Sequence, residues 1–359
     1  MATLALFLME EMFSEITSKQ NFDEAFRKTQ LGSPKFKFSA IAFSENRTVN
    51  LGYLRSAVIF GHYEPGEYVS FPVFEPKERV IFAPKYRDKI VQHAVNNILR
   101  DFYEPKFIYD SYACIRGKGN KKAALRIQSF QRKACINYED PWIVKADVAS
   151  FFYSIDRDIL LGIVRRKIDC PETLALIELI VLGSPGDIGL PLGNLISQLL
   201  ANVLMNDLDN YIKRTLGVKY YVRYADDLIL IVDGKAQAKD VLGCIRAYGR
   251  DVLALTFPDK KCYIRPAKHG LETLGYKITP AIILLTSRAK SQIIKRLRNF
   301  DRLLHEGKIT PPEVTASLMS WYSYARTASC QKFVKQACER TAHIRFTQNE
   351  RFIILRTQQ

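Results

Sequence analysis

An α+β fold organised around a ferredoxin-like sheet is predicted by three features of the sequence. Between residues 141 and 266 the local patterns run β-α-β-β-α-β, the split βαβ order. Two β-rich runs, 219–224 and 228–232, are parted by only Ala225-Asp226-Asp227, which makes them a hairpin. Beyond Leu285 the composition changes to a basic segment with helical periodicity, read as a separate module.

Taken in order, residues 1–30 read as an amphipathic helical extension. Its apolar start lacks a basic leading region and runs at once into Glu10-Glu11, which suits a docking helix better than a signal peptide. Residues 66–84 alternate and carry prolines, predicting short strands with a turn near Pro76-Lys77-Glu78. Apolar residues at 90, 91, 94, 95, 98, 99 and 102 predict a helix with one buried face. Residues 141–147 form a strand ending in Asp147. The helix after it is capped by Ser154 or Asp156 and buries Ile159, Leu160, Ile163, Val164 and Ile168. A glycine-rich turn at 186–193 opens a long helix striped by Leu195, Leu199, Val203, Leu208, Ile212 and Leu216. A helix at about 236–254 and a strand near 262–266 complete the sheet. In 288–304, Arg288, Lys295, Arg298 and Arg302 share one side and Ile294, Leu297, Phe300 and Leu304 the other, with a boundary placed near 280–286.

The chain has 359 residues, 47% hydrophobic and 25% charged, which excludes wholesale disorder and allows about two domains. Lys and Arg number 53 against 37 Asp and Glu, a net charge of +16 that calls for a polyanionic partner or, failing that, a solvated basic surface. The stretch 285–359 concentrates this excess, with 14 Lys and Arg against 5 Asp and Glu. The seven cysteines form no CxxC pair, which argues against a disulfide framework and structural zinc. No apolar run is long enough to span a membrane. The expectation is a soluble, cytoplasmic protein with no membrane partner.

Asp226 and Asp227 stand at a tight turn where two carboxylates repel each other. Asp147 ends the strand predicted to lie beside that hairpin, so three carboxylates are expected to converge. Oxygen-only ligands suit Mg²⁺, and two such ions roughly 3.5–4 Å apart can activate a hydroxyl and stabilise a leaving pyrophosphate. A solvated Asp-Asp turn is the plainer reading of the dipeptide alone. The surrounding strand–turn–strand pattern and the second strand-end acid favour the metal reading.

Tyr224-Ala225-Asp226-Asp227 resembles the YxDD box of reverse transcriptases, and Asp147-Val-Ala-Ser-Phe-Phe152 resembles their first palm motif. The resemblance implies a right-hand polymerase with fingers, a ferredoxin-like palm and a helical thumb. It spans roughly residues 60–330. The organisation expected is an N-terminal helical extension at 1–60, fingers at 61–140, palm at 141–284 with fingers helices inserted around 160–192, and a basic helical thumb at 285–359. The resemblance implies catalysis by Asp147, Asp226, Asp227 and Lys261, with two Mg²⁺ (Mn²⁺ substituting) held by the three acids and the Val148 carbonyl. Lys260 is a rival to Lys261 as proton donor to pyrophosphate. Lys77 and Arg79 match the triphosphate-contacting fingers block, and guanidinium pairs well with phosphate. Phe152 matches the steric gate against a 2′-hydroxyl; a core aromatic beside Phe151 is the other reading. Leu192, Gly193, Gln198 and Tyr224 fall at the nucleotide pocket. Arg116 and Lys118 match a template-contacting block, Leu274-Gly275-Tyr276 the primer grip, and Arg288 and Lys295 the thumb's template–primer face.

One block departs from most of the family. Where the usual pattern is Gln-Gly-x-x-x-Ser-Pro, this chain has Leu192-Gly193-Asn194-Leu195-Ile196-Ser197-Gln198, which resembles diversity-generating retroelement enzymes. That likeness implies error-prone copying of template adenines into cDNA, because Leu192 cannot make the hydrogen bond that glutamine makes near the incoming dNTP. It also implies template RNA and cDNA or primer as partners, a small basic ring-forming accessory protein, and a bacterial or phage origin. An antiviral-defence or group II intron-like reverse transcriptase is the alternative within the class. A catalytically silent RNA-binding scaffold is the alternative outside it. Trp321, Tyr322 and Tyr324 are read as thumb core ahead of base stacking.

Overall fold

The computed structural model describes residues 11–32, 37–74, 78–347 and 349–355. Near the N-terminus α1 (Lys19–Thr29), α2 (Phe38–Glu45) and α3 (Arg47–Ile59) gather against α4 (Tyr86–Tyr103). Ser18 caps α1 by accepting from the Asn21 amide at 3.1 Å. Asn21 also locks α1 to α4, donating to the Ala94 carbonyl and accepting from Asn97. The first ten residues of the predicted extension lie outside the described residues. The expected strands are β1 (Val69–Val73) and β2 (Arg79–Ala83), an antiparallel hairpin whose tip, with Lys77, also falls outside them.

Two helices were not foreseen: α5 (Asn120–Asn137) ahead of the first palm strand, and a single turn, Phe151–Ser154, directly after it. After β3 (Pro141–Asp147) come α6 (Phe151–Ser154), α7 (Arg157–Arg165), α8 (Pro171–Leu182), within the stretch 160–192 expected to hold inserted helices, and α9 (Leu195–Asn210). Asp156, and not Ser154, caps α7, accepting from Ile159 N at 2.9 Å. The long helix ends earlier than its stripe suggests: past Asn210 the backbone widens into a π-turn over Tyr211–Thr215, which still buries Ile212.

The remaining palm elements are β4 (Tyr220–Tyr224), β5 (Asp227–Asp233), α10 (Lys235–Leu253) and β6 (Tyr263–Pro266). The sheet order is β4-β5-β3-β6, antiparallel throughout, as the split βαβ order predicts. Both faces are covered. Leu228, Leu230 and Val232 of β5 point into one core with α4, α7, α8, α9 and α10, while Ile229 and Ile231 point into a second core. Burial on both sides explains why the run 228–232 is continuously apolar and does not alternate.

The second core is closed by α5 and by a small sheet of β7 (Leu271–Thr273), β8 (Tyr276–Ile278) and β9 (Ile283–Leu285). It continues into α11 (Ser287–His305), α12 (Pro311–Ala325) and α13 (Gln331–Cys338). Ile293, with Leu297, Phe300 and Leu304, forms the buried face of α11; Ile294 is only half-buried, correcting the predicted stripe by one residue. The basic segment is also not purely helical, because β10 (Ile344–Phe346) and β11 (Phe352–Ile354) pair at its end. Tyr322 is core, as expected. All seven cysteines are free. Among the described residues no helix is long and apolar enough to cross a membrane.

The turn between β7 and β8 joins this sheet to α12. Thr273 pairs with Tyr276, leaving Leu274 and Gly275 as the turn residues, both at positive φ (+55° and +81°). That is the pattern of a type I′ hairpin. Tyr324 of α12 stacks on Tyr276 at 4.7 Å, donates its hydroxyl to Leu274 O, and accepts the Tyr276 hydroxyl at its own carbonyl. A Cβ on Gly275 would lie 2.1 Å from the Tyr324 hydroxyl. Gly275→Ala is therefore expected to cost about 1–3 kcal/mol in urea unfolding, and less in a Tyr324→Phe background. An equal cost in both backgrounds would show that backbone strain alone is responsible.

Candidate active site

The hairpin between β4 and β5 is tighter than its sequence suggests. Tyr224 pairs directly with Asp227, so the loop has two residues, Ala225 and Asp226, and Asp227 is the first residue of a strand. In the neighbouring pair Asp147 lies opposite Asp227. Asp147, Asp226 and Asp227 thus meet at one end of the sheet, half-buried. Burial, then the charge of Asp147, raises the Asp226 pKa to about 6.

The three acids share this sheet end without forming a closed cage. Among the described residues no three acidic, histidine or cysteine side chains are gathered as metal ligands. Two lysines explain why. The Lys261 ammonium donates to Asp147 Oδ1 and, at 2.8 Å, to the Val148 carbonyl. Lys145 lies 3.0 Å from Asp227 Oδ1, and that carboxylate holds the lysine's pKa above its ordinary value against the opposing effect of burial. Thr273 donates to the other Asp227 oxygen at 3.2 Å. The donor set is all oxygen, and the chain already places a cation between Asp147 and the Val148 carbonyl. Residues of this chemistry fit a hard divalent ion.

Beneath the hairpin lies a network that sequence reasoning missed. Arg223 and Asp209 form an ion pair at 2.8 Å with both side chains 0% exposed. Asp209 also accepts from the Tyr221 hydroxyl at 2.6 Å, and Arg223 donates to Asn202 Oδ1 at 2.8 Å. A further bond from Arg223 Nη1 reaches the Ala225 carbonyl at 3.2 Å. Ala225 has φ +54°, a backbone setting uncommon for a residue with a Cβ. The guanidinium therefore braces the strained residue that turns the chain into Asp226. A charged residue inside the apolar strand Tyr220–Tyr224 was the available signal, but its partners are distant in the sequence.

Of the residues predicted for a nucleotide pocket, Arg79, Phe152, Leu192 and Gly193 lie on segments joined to one another by hydrogen bonds. Phe82 N of β2 donates to Leu192 O at 3.0 Å, and Tyr153 donates its hydroxyl to Val80 O at 3.0 Å, so the hairpin bearing Arg79 docks beside Leu192 and Gly193. Gly193 has φ +110°, and a Cβ there would meet Ile81 at 2.9 Å. Leu190 N donates to Phe152 O at 2.7 Å, which fixes the glycine-rich turn against α6. Phe152 is half-buried against Phe151, with ring centroids 5.3 Å apart. Gln198 is exposed on α9, and Tyr224 is half-buried at the strand end.

The other candidates lie apart from the carboxylates. Arg116 pairs with Asp101 of α4 at 2.7 Å and lines a groove with Glu11, Glu15 and Glu24. Lys118 sits 5.1 Å over the Tyr109 ring. Arg288 and Lys295 lie on the exposed side of α11.

Comparison with known proteins agrees with this arrangement. The family model described as "Reverse transcriptase (RNA-dependent DNA polymerase)" matches residues 74–278. Protein YkfC of Escherichia coli is 27% identical over 272 residues, covering 64% of this chain and 71% of that protein. The retron Ec73 reverse transcriptase of Escherichia coli is 28% identical over 204 residues, covering 53% of this chain and 59% of that enzyme. The group II intron-encoded protein LtrA of Lactococcus lactis is 28% identical over 144 residues, and only 23% of its length is matched. Among solved structures, apo telomerase from Candida tropicalis superposes with a TM-score of 0.50 at 10% identity, over 77% of this chain and 59% of that one, a likeness of fold.

Removing one partner of the buried pair strands the other charge. Asp209→Ala is expected to lower stability by about 3–5 kcal/mol in urea unfolding, and the Asp209→Ala/Arg223→Met double variant should lose less than the sum of the two single changes.

Proposed function

Because the chain belongs to the reverse transcriptase (RNA-dependent DNA polymerase) family, we propose that it copies a template RNA into cDNA at the end of the palm sheet where Asp147, Asp226 and Asp227 meet. The observation that carries this reading is the cross-strand pairing of Asp147 with Asp227, which puts an acid 79 residues upstream beside the Asp-Asp turn. Asp147, Asp226, Asp227 and the Val148 carbonyl would hold two Mg²⁺, or Mn²⁺ in their place. Bound there, such ions activate the primer 3′-hydroxyl and offset the charge of the departing pyrophosphate.

The chain's own residues do the rest. Lys261 bridges Asp147 and the Val148 carbonyl, so it must yield there to a more highly charged cation. Once released it is an ammonium next to the reacting phosphates, placed to give a proton to pyrophosphate. Arg79 and Lys77 are the candidates for the triphosphate, and Phe152 for excluding a 2′-hydroxyl. Leu274-Gly275-Tyr276, held by Tyr324, would carry the primer end. The exposed cations of α11 would carry the template–primer phosphates. The proposed division keeps fingers at 61–140, palm at 141–284 and thumb at 285–359.

Within the family, the Leu192 block supports an enzyme of the diversity-generating type, error-prone at template adenines and working with a small basic accessory protein. The matches to LtrA and the retron Ec73 enzyme favour a second reading, an intron-like or defence reverse transcriptase. Sequencing cDNA made from an adenine-containing template separates the two: errors confined to adenines support the first.

Wild-type protein is expected to extend oligo(dT) on poly(rA) with Mg²⁺ or Mn²⁺, and Asp226→Ala/Asp227→Ala to yield no product above background. Extension surviving in that variant would remove the metal assignment. Leu192→Gln should lower the misincorporation rate opposite template adenine by about tenfold, the weight of roughly one pocket contact. An unchanged error spectrum would separate Leu192 from fidelity.

A further inference from the structure

We propose a second RNA site, a basic cavity beside the palm and distinct from the carboxylate cluster, that holds the phosphate backbone of single-stranded RNA. The inference rests on the reading of the chain as an RNA-copying enzyme. The cavity has a volume of about 780 Å³ and opens between the end of α4, α7 and the second half of α9. Five cations line it, Lys106, Arg166, Lys167, Lys213 and Arg214, against a single acid, Asp207.

That acid is already occupied. Asp207 lies 3.4 Å from Arg166 and accepts from the Tyr248 hydroxyl at 3.2 Å. Among the described residues Lys167 and Arg214 have no ion-pair partner. Lys106 and Lys213 are held in place by carbonyls: Lys106 donates to Phe102 O at 2.7 Å, and Lys213 to Val218 O and Lys219 O at 3.1 and 2.9 Å. Burial pulls both lysines below the ordinary pKa, and for Lys106 the charge of Lys167 adds to the effect. Cations packed together at this cost lack an anion.

An aromatic ring identifies the anion as nucleic acid. Tyr109, at the cavity wall, is 73% exposed, with Lys118 and Arg126 over its ring at 5.1 and 5.4 Å. An exposed ring beside a basic groove is the usual platform for stacking an unpaired base. Lys213 and Arg214 precede β4, whereas Asp226 follows it, so these two cations stand about the strand's length, roughly 17 Å, from the acids, while Tyr109 lies nearer to them, its neighbour Asp110 accepting from the Arg223 amide. The lysine and arginine end of the cavity therefore takes a stretch of RNA away from the base being copied.

The test measures binding of the full chain to a fluorescein-labelled oligouridine of about 20 nucleotides by anisotropy across a salt series. Lys167→Glu/Arg214→Glu is expected to weaken binding and lower the slope of log K against log salt by about 1.4, two phosphates at the single-strand value. Tyr109→Ala should weaken binding about tenfold at unchanged slope. Lys235→Glu/Lys239→Glu, an equal charge change on the exposed side of α10, should leave the slope as in wild type. A wild-type slope in the pocket variant, or an equal fall in the α10 variant, overturns the site and leaves the cavity to an acidic protein or to none. At saturating template the pocket variant should still extend oligo(dT) on poly(rA). Failure of wild type to extend would remove the polymerase reading, while the salt slope would still decide the cavity.

Discussion

A fully buried ion pair is the constraint on which the carboxylate hairpin depends. Two charges taken from water cost several kcal/mol each, and their attraction repays this only when the remaining donors and acceptors are satisfied. Arg223 meets that condition in large part: Nε bonds Asp209, Nη1 bonds Asn202 and the Ala225 carbonyl, and Nη2, which makes no hydrogen bond, lies 2.8 Å from Asp209 Oδ2. Its backbone adds a third attachment, with its amide donating to Asp110 O and its carbonyl accepting from Tyr112 N. One residue of β4 thus joins the hairpin, α9 and the loop before α5. The strained φ of Ala225 persists because these bonds leave the turn little alternative.

The second theme is how the fold manages like charges. Two adjacent acids opposite a third form a repulsive cluster, and the chain offsets it with Lys145 and Lys261. Both lysines come from elements of the same sheet end: Lys145 from β3, two residues before Asp147, and Lys261 from the turn leading into β6. The Lys261 ammonium satisfies one carboxylate oxygen and one carbonyl, the kinds of oxygen that a hard cation also takes.

Much of the fold was legible because it rests on local periodicity. The helix around Ile90–Leu99, the strand ending at Asp147, the tight hairpin and the β-α-β-β-α-β order all leave patterns of period two or 3.6. The helix α5 carried such a pattern too, at Ala123, Ala124, Ile127, Phe130 and Ala134, but its many basic and polar residues obscured it. The one-residue error on α11 has a similar origin: Ile293 and Ile294 are equally apolar, and only the position of the second core selects Ile293.

By itself the sequence determined the order of elements, the apolar faces and the acids and glycines at the turns, because these follow from each residue's own backbone preferences and spacing. It also carried the family likeness, through blocks that stand in a fixed order along the chain. Only the tertiary structure decided that Asp227 is a strand residue facing Asp147, that Lys261 bridges Asp147 and the Val148 carbonyl, and that Arg223 is buried against Asp209. Each of these depends on which distant segments share a dielectric environment and a hydrogen-bonding distance, and no local pattern encodes that.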